Sequence, residues 1–128
     1  MAKDATKPDL VFGASGYIGT NLVEFLLAEG RNIRASSRNL EVLEGRGWDR
    51  AEQRQADALD PESLDAVLEN VGTAYYLMHS MAAGRSFPEL DATGARNFAA
   101  AAERQGVQRI VYLDGLTPDN PQSTHLRS

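Results

Sequence analysis

The most constraining feature of this chain is a glycine-punctuated turn near its start. Pro8-Asp9-Leu10-Val11-Phe12 is a short apolar run that stops at a glycine. It is too short for a helix and is bounded by breakers, so it predicts a buried strand. Gly13-Ala14-Ser15-Gly16-Tyr17-Ile18-Gly19 follows. Beyond Gly16 the apolar period changes to that of a helix, with Ile18, Leu22, Phe25 and Leu26 on one stripe and Val23 and Leu27 widening it. Gly30 is the expected helix stop. Each glycine of the turn has a physical task. Gly13 lets the chain turn sharply off the strand. Gly16 presents bare backbone, so a pyrophosphate can approach. Gly19 lets the helix pack closely on the sheet. The helix start then offers unpaired N–H groups and the positive end of its dipole to phosphate. Such a spacing is weak alone, but between a strand and an amphipathic helix it points to dinucleotide binding.

The rest of the chain repeats the alternation. Asn32–Ser36 reads as a second strand, Leu40–Glu44 as a short helix and Ala51–Gln55 as an edge-like third strand. Asp60-Pro61-Glu62 is a helix start, with Asp60 as N-cap and Pro61 at the first helical position. Leu64, Val67, Leu68 and Val71 form that helix's buried stripe, and Gly72 is its expected stop. Thr73–Met78 reads as a fourth strand, Pro88–Gln105 as an Ala-rich helix ended by Gly106, and Arg109–Leu113 as a fifth strand. Residues 1–8 read as a disordered lead-in, and Thr117–Ser128 reads as loop. The expected fold is therefore α/β: a Rossmann-like, doubly wound parallel sheet in three layers, its five strands in the order 3-2-1-4-5, over residues 9–128. Trp48 is expected to anchor the third strand by packing. Phe98, Ala101 and Ala102 are expected between helix and sheet.

Composition narrows the function classes. The chain has 128 residues, no cysteine and two histidines, so neither a disulfide scaffold nor a thiolate metal site is expected. Its formal net charge of −5 argues against a nucleic-acid partner. No apolar run approaches a membrane span, and no signal-like core opens the chain, so a cytoplasmic protein is expected.

The exit of the second strand bears on the type of dinucleotide. An acid there suits the ribose hydroxyl of NAD, and an arginine the 2′-phosphate of NADP. The chain reads Ser36-Ser37-Arg38, with no acid until Glu41. Arg38 offers a planar donor fork and Ser37 a hydroxyl, so NADP is favoured, with NAD the second choice. Arg34, within the strand, is a lesser candidate that is expected to face solvent.

These segments together resemble the N-terminal part of the short-chain dehydrogenase/reductase superfamily, on its extended and atypical side. The nearest likeness is to NAD-dependent epimerase/dehydratase-like and NmrA-like NAD(P)-binding proteins. Residues 11–19 resemble the family's nucleotide loop, so Gly13, Ser15, Gly16, Tyr17, Ile18 and Gly19 are implied to hold the cofactor. Ala56-Asp57-Ala58-Leu59-Asp60 resembles the strand-three exit, which implies Asp57 at the adenine amine with Ala58 beside it. Ala74-Tyr75-Tyr76-Leu77-Met78-His79-Ser80 resembles the strand-four exit, which implies Leu77 and His79 along the adenosine and ribose. Asn97 matches a largely structural asparagine of the next helix, and residues 106–113 resemble the fifth strand.

The family's catalytic pattern is incomplete here. That pattern is a Tyr-x-x-x-Lys pair with a Ser at the end of strand five. This chain has Asp114-Gly115-Leu116 after Leu113, and no Tyr after Tyr112. His125, in Ser123-Thr124-His125-Leu126-Arg127-Ser128, is a candidate for the Tyr position. Asp114 and His79 are further catalytic candidates, although a solvated loop acid and a pocket-lining or surface imidazole are the commoner roles for such residues. Two functions follow from the resemblance. One is an NADP-dependent oxidoreductase or epimerase/dehydratase-like enzyme that transfers hydride, of which this would be the nucleotide-binding portion, inactive alone. The other is a non-catalytic NmrA-like NADP sensor or regulator. With strand five at an open sheet edge, a homodimer through that strand or through the Ala-rich helix is expected.

Overall fold

The computed structural model describes residues 7–77, 81–82, 85–86, 88–113 and 124–127, with side chains over 7–77 and 92–112. The elements are β1 (Asp9–Phe12), α1 (Tyr17–Ala28), β2 (Ile33–Ser37), α2 (Leu40–Glu44), β3 (Ala51–Gln55), α3 (Pro61–Leu68), β4 (Thr73–Tyr76), β5 (Met81–Ala82), β6 (Arg85–Ser86), α4 (Pro88–Gln105), β7 (Arg109–Leu113) and β8 (Thr124–Arg127). The main sheet runs β3-β2-β1-β4-β7-β8, and β5 and β6 form a separate antiparallel pair. The five strands from β3 to β7 are parallel, in the predicted 3-2-1-4-5 order.

The register decides where the connecting loops gather. Phe12 lies beside Ser36 on one side and Tyr76 on the other, Ser37 beside Gln55, and Tyr76 beside Tyr112. All five carboxyl ends therefore open on one edge of the sheet. The chain winds outward from β1 toward β2 and β3, then returns to β4 on the other side of β1. That reversal point is where open α/β sheets leave a crevice for ligands.

Alternation along β1 divides the core in two. Leu10 and Phe12 face α3 and α4, where Leu64, Val67, Leu68, Phe98, Ala101 and Ala102 are buried with them. Val11 faces the other way, into a cluster with Val23, Leu26, Ile33, Ala35, Leu43 and Trp48. The Phe12 ring stacks on Tyr76 at 5.5 Å between centroids, and Phe98 packs on both. Burying a ring such as Phe12 contributes about 1.5–3 kcal/mol. Asn97 donates from Nδ2 to the Ala58 carbonyl at 2.9 Å and ties α4 to the loop after β3. Trp48 is buried beside Leu43 and Ala51 and so anchors the third strand as expected.

Several local expectations are corrected. Phe25 does not belong to the buried stripe of α1; it is 60% exposed, and Gly19, Val23 and Leu26 face the sheet instead. Leu22 and Leu27 pack partly buried against the same cluster, while Phe25 points outward. α3 ends at Leu68, not at Gly72, and the left-handed turn after it falls on Asn70, with φ of 65°. Asp60 stands at the N-cap of α3, but its side chain makes no capping bond. Strand four stops at Tyr76, two residues short of the predicted end. The final loop contains β8, antiparallel to β7. The backbone groups of β7 provide pairing partners that override a loop-like local composition. Strand five is therefore not an open edge, which removes that premise for dimerisation. The expectation for the lead-in lies mostly outside the described residues.

Arg34 is also corrected. It is 7% exposed and turned into the protein. Its guanidinium donates to the carbonyls of Val67 and Glu69 at 2.7 and 2.8 Å and to Glu52 at 2.9 Å. It thus satisfies the carbonyl end of α3, where the helix dipole favours a cation. Asp9, also buried, pairs with Arg31.

Candidate functional site

Gly13 leaves β1 with φ of +96°, a conformation that L side chains disfavour. The Gly13 and Ala14 N–H groups both donate to the Ser36 carbonyl, at 3.1 and 2.9 Å, which holds the turn against β2. Thr20 Oγ1 donates to the Ala14 carbonyl at 3.0 Å. Gly19 allows the close approach that this turn needs. A Cβ there would collide with the Gly13 carbonyl oxygen and lie 2.8 Å from Ala14 Cα.

Gly16 is different. A Cβ at Gly16 would meet only the Gly13 oxygen, at an ordinary 3.8 Å, and its φ of −77° suits any residue. The protein's own packing therefore does not require glycine at this point. The bare position leaves the backbone open to the space outside the loop. α1 begins directly beyond it, with no side-chain cap and no acidic residue in its first turn. The first N–H groups of a helix have no intrahelical acceptor, so this end suits an anion.

A cavity of about 590 Å³ opens here, lined by Gly13, Ser15, Gly16, Ser37, Arg38, Asn39 and Leu77. That size falls within the range of small-molecule sites. No carboxylate is among these lining residues. Ser37, 6% exposed, donates from Oγ to Ser15 Oγ at 3.1 Å and accepts the Asn39 N–H at 3.2 Å. Asn39 in turn caps α2 by accepting the Glu41 N–H at 3.1 Å. The Arg38 carbonyl accepts from Gln55 Nε2 at 3.3 Å. Its side chain has no ion-pair partner among the described residues. Leu77 is placed by its N–H, which donates to the Phe12 carbonyl at 2.9 Å.

Of the predicted site residues, Gly13, Ser15, Gly16, Ser37, Arg38 and Leu77 are brought together around this cavity. Tyr17, Ile18 and Gly19 form the first turn of α1 beside it; Tyr17 is 85% exposed, whereas Gly19 is buried under the loop. Asp57 and Ala58 stand after β3 at the same sheet edge and do not line the cavity. Asp57 Oδ1 accepts the Leu59 N–H at 2.9 Å, and Ala58 is in the core. His79 and Asp114 lie outside the described residues. His125 falls in β8, opposite Tyr112 in the register.

Two residues of this region were not anticipated. Asn39 carries a local signal, an Asx residue just before a helix. Arg46 carries none. Its Nη2 donates to the Ser15 carbonyl at 2.9 Å from 31 positions away, a contact that only folding creates. The groups with shifted titration lie elsewhere. Burial pushes the Tyr75 hydroxyl up, beside Asp9 and Arg31 at the other end of the sheet. Burial also pushes the Glu52 carboxyl up, but hydrogen bonds and charge from Arg34 and Arg54 outweigh it and hold the group below the usual carboxylate range.

Bare loop backbone and helix N–H groups at the reversal point of a parallel sheet are how open α/β domains take a pyrophosphate. Fold and cavity together thus define a dinucleotide-binding domain. Sequence comparison makes this particular: a profile described as NAD(P)H-binding matches residues 13–127, and the chain belongs to that family. It is 32% identical over 120 residues to cinnamoyl-CoA reductase 1 of Oryza sativa subsp. japonica, across 87% of this chain and 36% of the rice protein. It is 29% identical over 125 residues to N-acetyl-alpha-D-glucosaminyl-diphospho-ditrans,octacis-undecaprenol 4-epimerase of Escherichia coli O157:H7, across 91% of this chain and 36% of that protein. Among solved structures, Citrobacter sp. triphenylmethane reductase complexed with NADP(H) superposes with a TM-score of 0.72 at 26% identity, covering 83% of this chain and 36% of that one. The chain therefore spans little more than a third of these relatives' lengths, and corresponds to the NAD(P)-binding domain of reductase- and epimerase-family proteins.

Proposed function

We propose that the cavity binds NADP(H), and that the chain is the cofactor-holding part of a reductase or epimerase/dehydratase-like enzyme working by hydride transfer. The observation that carries this is Arg38: an arginine at the exit of β2 that lines a cavity with no carboxylate in its lining among the described residues. A carboxylate at that exit would repel a 2′-phosphate, whereas an arginine fork matches it.

In this reading the N–H groups of Tyr17, Ile18 and Gly19 and the bare Gly16 receive the pyrophosphate. Arg38 and the Ser37 edge take the 2′-phosphate. By the resemblance, Asp57 would take the adenine amine, and Leu77 and His79 the ribose. When bound, NADPH supplies the hydride. The chain's own residues bind and orient it, because their rigid bonds fix the loop before the ligand arrives. The absence of a Ser after Leu113, where Asp114 stands, supports a second reading as a non-catalytic sensor. Steady NADPH consumption with a panel of aldehydes and ketones, measured on a protein that joins this domain to a substrate-binding portion, favours the enzyme; tight binding without turnover in that protein favours the sensor.

The test of the cofactor is titration of the chain with NADPH and NADH by calorimetry. NADPH is expected to bind more tightly, and Arg38→Ala to weaken it about tenfold while changing NADH little. Preference for NADH in the unmutated protein, or equal losses in the variant, overturns the assignment.

A further inference from the structure

We infer that the amino ends of the strands carry a second binding site, for a small polar carboxylate, built around Arg34 and Lys7. The inference is independent of the cofactor reading. A cavity of about 510 Å³ lies there, with Lys7, Arg34, Glu69, Asn70 and Gln105 in its lining. It sits where α3 and α4 both end, at the opposite edge of the sheet from the Gly13–Gly19 loop. Its size is that of a small-molecule site.

Arg34 is fixed at this cavity with donors to spare. It is 7% exposed, and its Nε and Nη1 are committed to Glu52 and to the Val67 and Glu69 carbonyls. Those bonds use three of the five N–H groups of a guanidinium. Nη2 has no acceptor among the described residues. Nor is it sealed, because Ser36 Oγ is the one side-chain polar atom among the described residues that is both sealed and unpartnered. Nη2 therefore brings two open donors to the cavity that Arg34 lines. Donors of a buried cation are costly to leave unmet. Lys7 supplies a second cation. Its Cβ and Cδ lie 3.6 and 3.9 Å from where a Cβ on Gly72 would stand, so its stem is laid along that glycine. The Pro8 carbonyl accepts the Gly72 N–H at 3.1 Å and pins the backbone beside it. The Lys7 ammonium has no ion-pair partner among the described residues.

The rest of the lining narrows the ligand. Helix carbonyl ends are negative poles. Arg34 meets that of α3, and at the end of α4 the Gly106 and Val107 N–H groups donate back to the Glu103 and Ala102 carbonyls at 3.2 and 3.0 Å. Glu69 adds a carboxylate to the lining, and Glu52 offsets part of the Arg34 charge. Two cations against this background suit one negative charge better than two, which favours a carboxylate over a phosphate dianion. The planar oxygens of a carboxylate also match guanidinium donors. Asn70 and Gln105 are amides that both donate and accept, so they suit hydroxyl or amino groups on the same ligand.

The experiment titrates the whole chain, labelled with nitrogen-15, with sodium gluconate as a hydroxylated monocarboxylate and with sorbitol as its uncharged counterpart, at constant ionic strength. Two-dimensional NMR reads the amide signals. Gluconate is expected to bind with a Kd on the order of millimolar, moving the signals of Glu69, Asn70, Val71 and Gly106 and leaving those of residues 13–19 in place. Sorbitol should bind at least about tenfold more weakly. Lys7→Gln removes a cation that holds no ion pair among the described residues, and should weaken gluconate about two- to fivefold; Lys7→Arg should keep it. Arg34→Lys keeps a charge but loses the paired donors of Nη2, and should weaken gluconate at least about tenfold. The Lys7 substitutions decide the matter even where Arg34→Lys fails to fold. An equal response to sorbitol, shifts confined to residues 13–19, a Lys7→Gln chain that binds like the parent, or no movement at tens of millimolar gluconate each overturns the inference. None of these readouts involves the dinucleotide, so the cofactor reading stands or falls separately.

Discussion

Gly16 and Gly19 stand three positions apart in one loop, and the structure predicts opposite consequences for adding a methyl group to each. At Gly19 the new Cβ would overlap the Gly13 carbonyl and lie 2.8 Å from Ala14 Cα. Both obstacles are backbone, so neither can rotate away. The turn must open or α1 must lift from the sheet, where Val23 and Leu26 are buried. Overpacking of this kind costs about 2–3 kcal/mol. A chain of 128 residues has an unfolding entropy at which each kcal/mol shifts Tm by about 4 °C. Gly19→Ala should therefore melt about 7–11 °C below the parent. At Gly16 the Cβ meets nothing closer than 3.8 Å. Gly16→Ala should keep Tm within about 4 °C, the poorer helix cap being offset by the stiffer unfolded chain, yet weaken the dinucleotide at least about tenfold by occupying the pyrophosphate's approach. Gly16→Asp should abolish binding, since it adds like charge to bulk. Thermal melts by circular dichroism and cofactor titrations on the same samples decide the matter. A Gly19→Ala protein that melts with the parent would refute the close-approach argument. A Gly16→Ala protein that binds normally would refute the claim that its bareness serves a ligand.

Two other outcomes follow from the opposite end of the sheet. Arg34→Met should cost about 2–3 kcal/mol in urea denaturation, because the Val67 and Glu69 carbonyls lose their donor; cofactor affinity should not change, and a specific loss of NADPH binding would restore Arg34 as a site residue. Glu52 titrates below the usual carboxylate range because of Arg34 and Arg54, so its charged form stabilises the fold above the unfolded value of 4.5, and that contribution disappears as pH falls through the lowered value. Glu52→Gln should therefore lower the urea midpoint at neutral pH and converge on the parent below that window; a constant difference at every pH would contradict the pairing.

Much of the fold was legible because its signals are local. A strand stopped by Gly13, a helix starting beyond Gly16, the Asp60-Pro61 start and the Gly30 and Gly106 stops all act within a few residues of themselves. Both of those stops take left-handed φ, at +81° and +73°. Errors arose where a distant partner decided. Phe25 fits the helical stripe by spacing, but the face that α1 lays on the sheet carries Gly19, Val23 and Leu26 instead. Arg34 read as a solvent-facing charge, yet two carbonyls at the end of α3 and the carboxylate of Glu52 drew it inward. The β8 segment looked like loop until β7 offered it an edge.

The same division holds at the site. The sequence alone determined that a bare, sharply turned loop would join a strand to a helix start, and that an arginine without a nearby acid would follow the second strand. Those are matters of residue type and spacing, and they act through backbone freedom and charge. Only the tertiary structure decided that Asn39 joins Ser15, Ser37, Arg38 and Leu77 around the cavity, and that Arg46 grips Ser15. Parallel register brings the carboxyl ends of strands far apart in sequence to one edge, and the contacts made there depend on that alignment rather than on any local pattern.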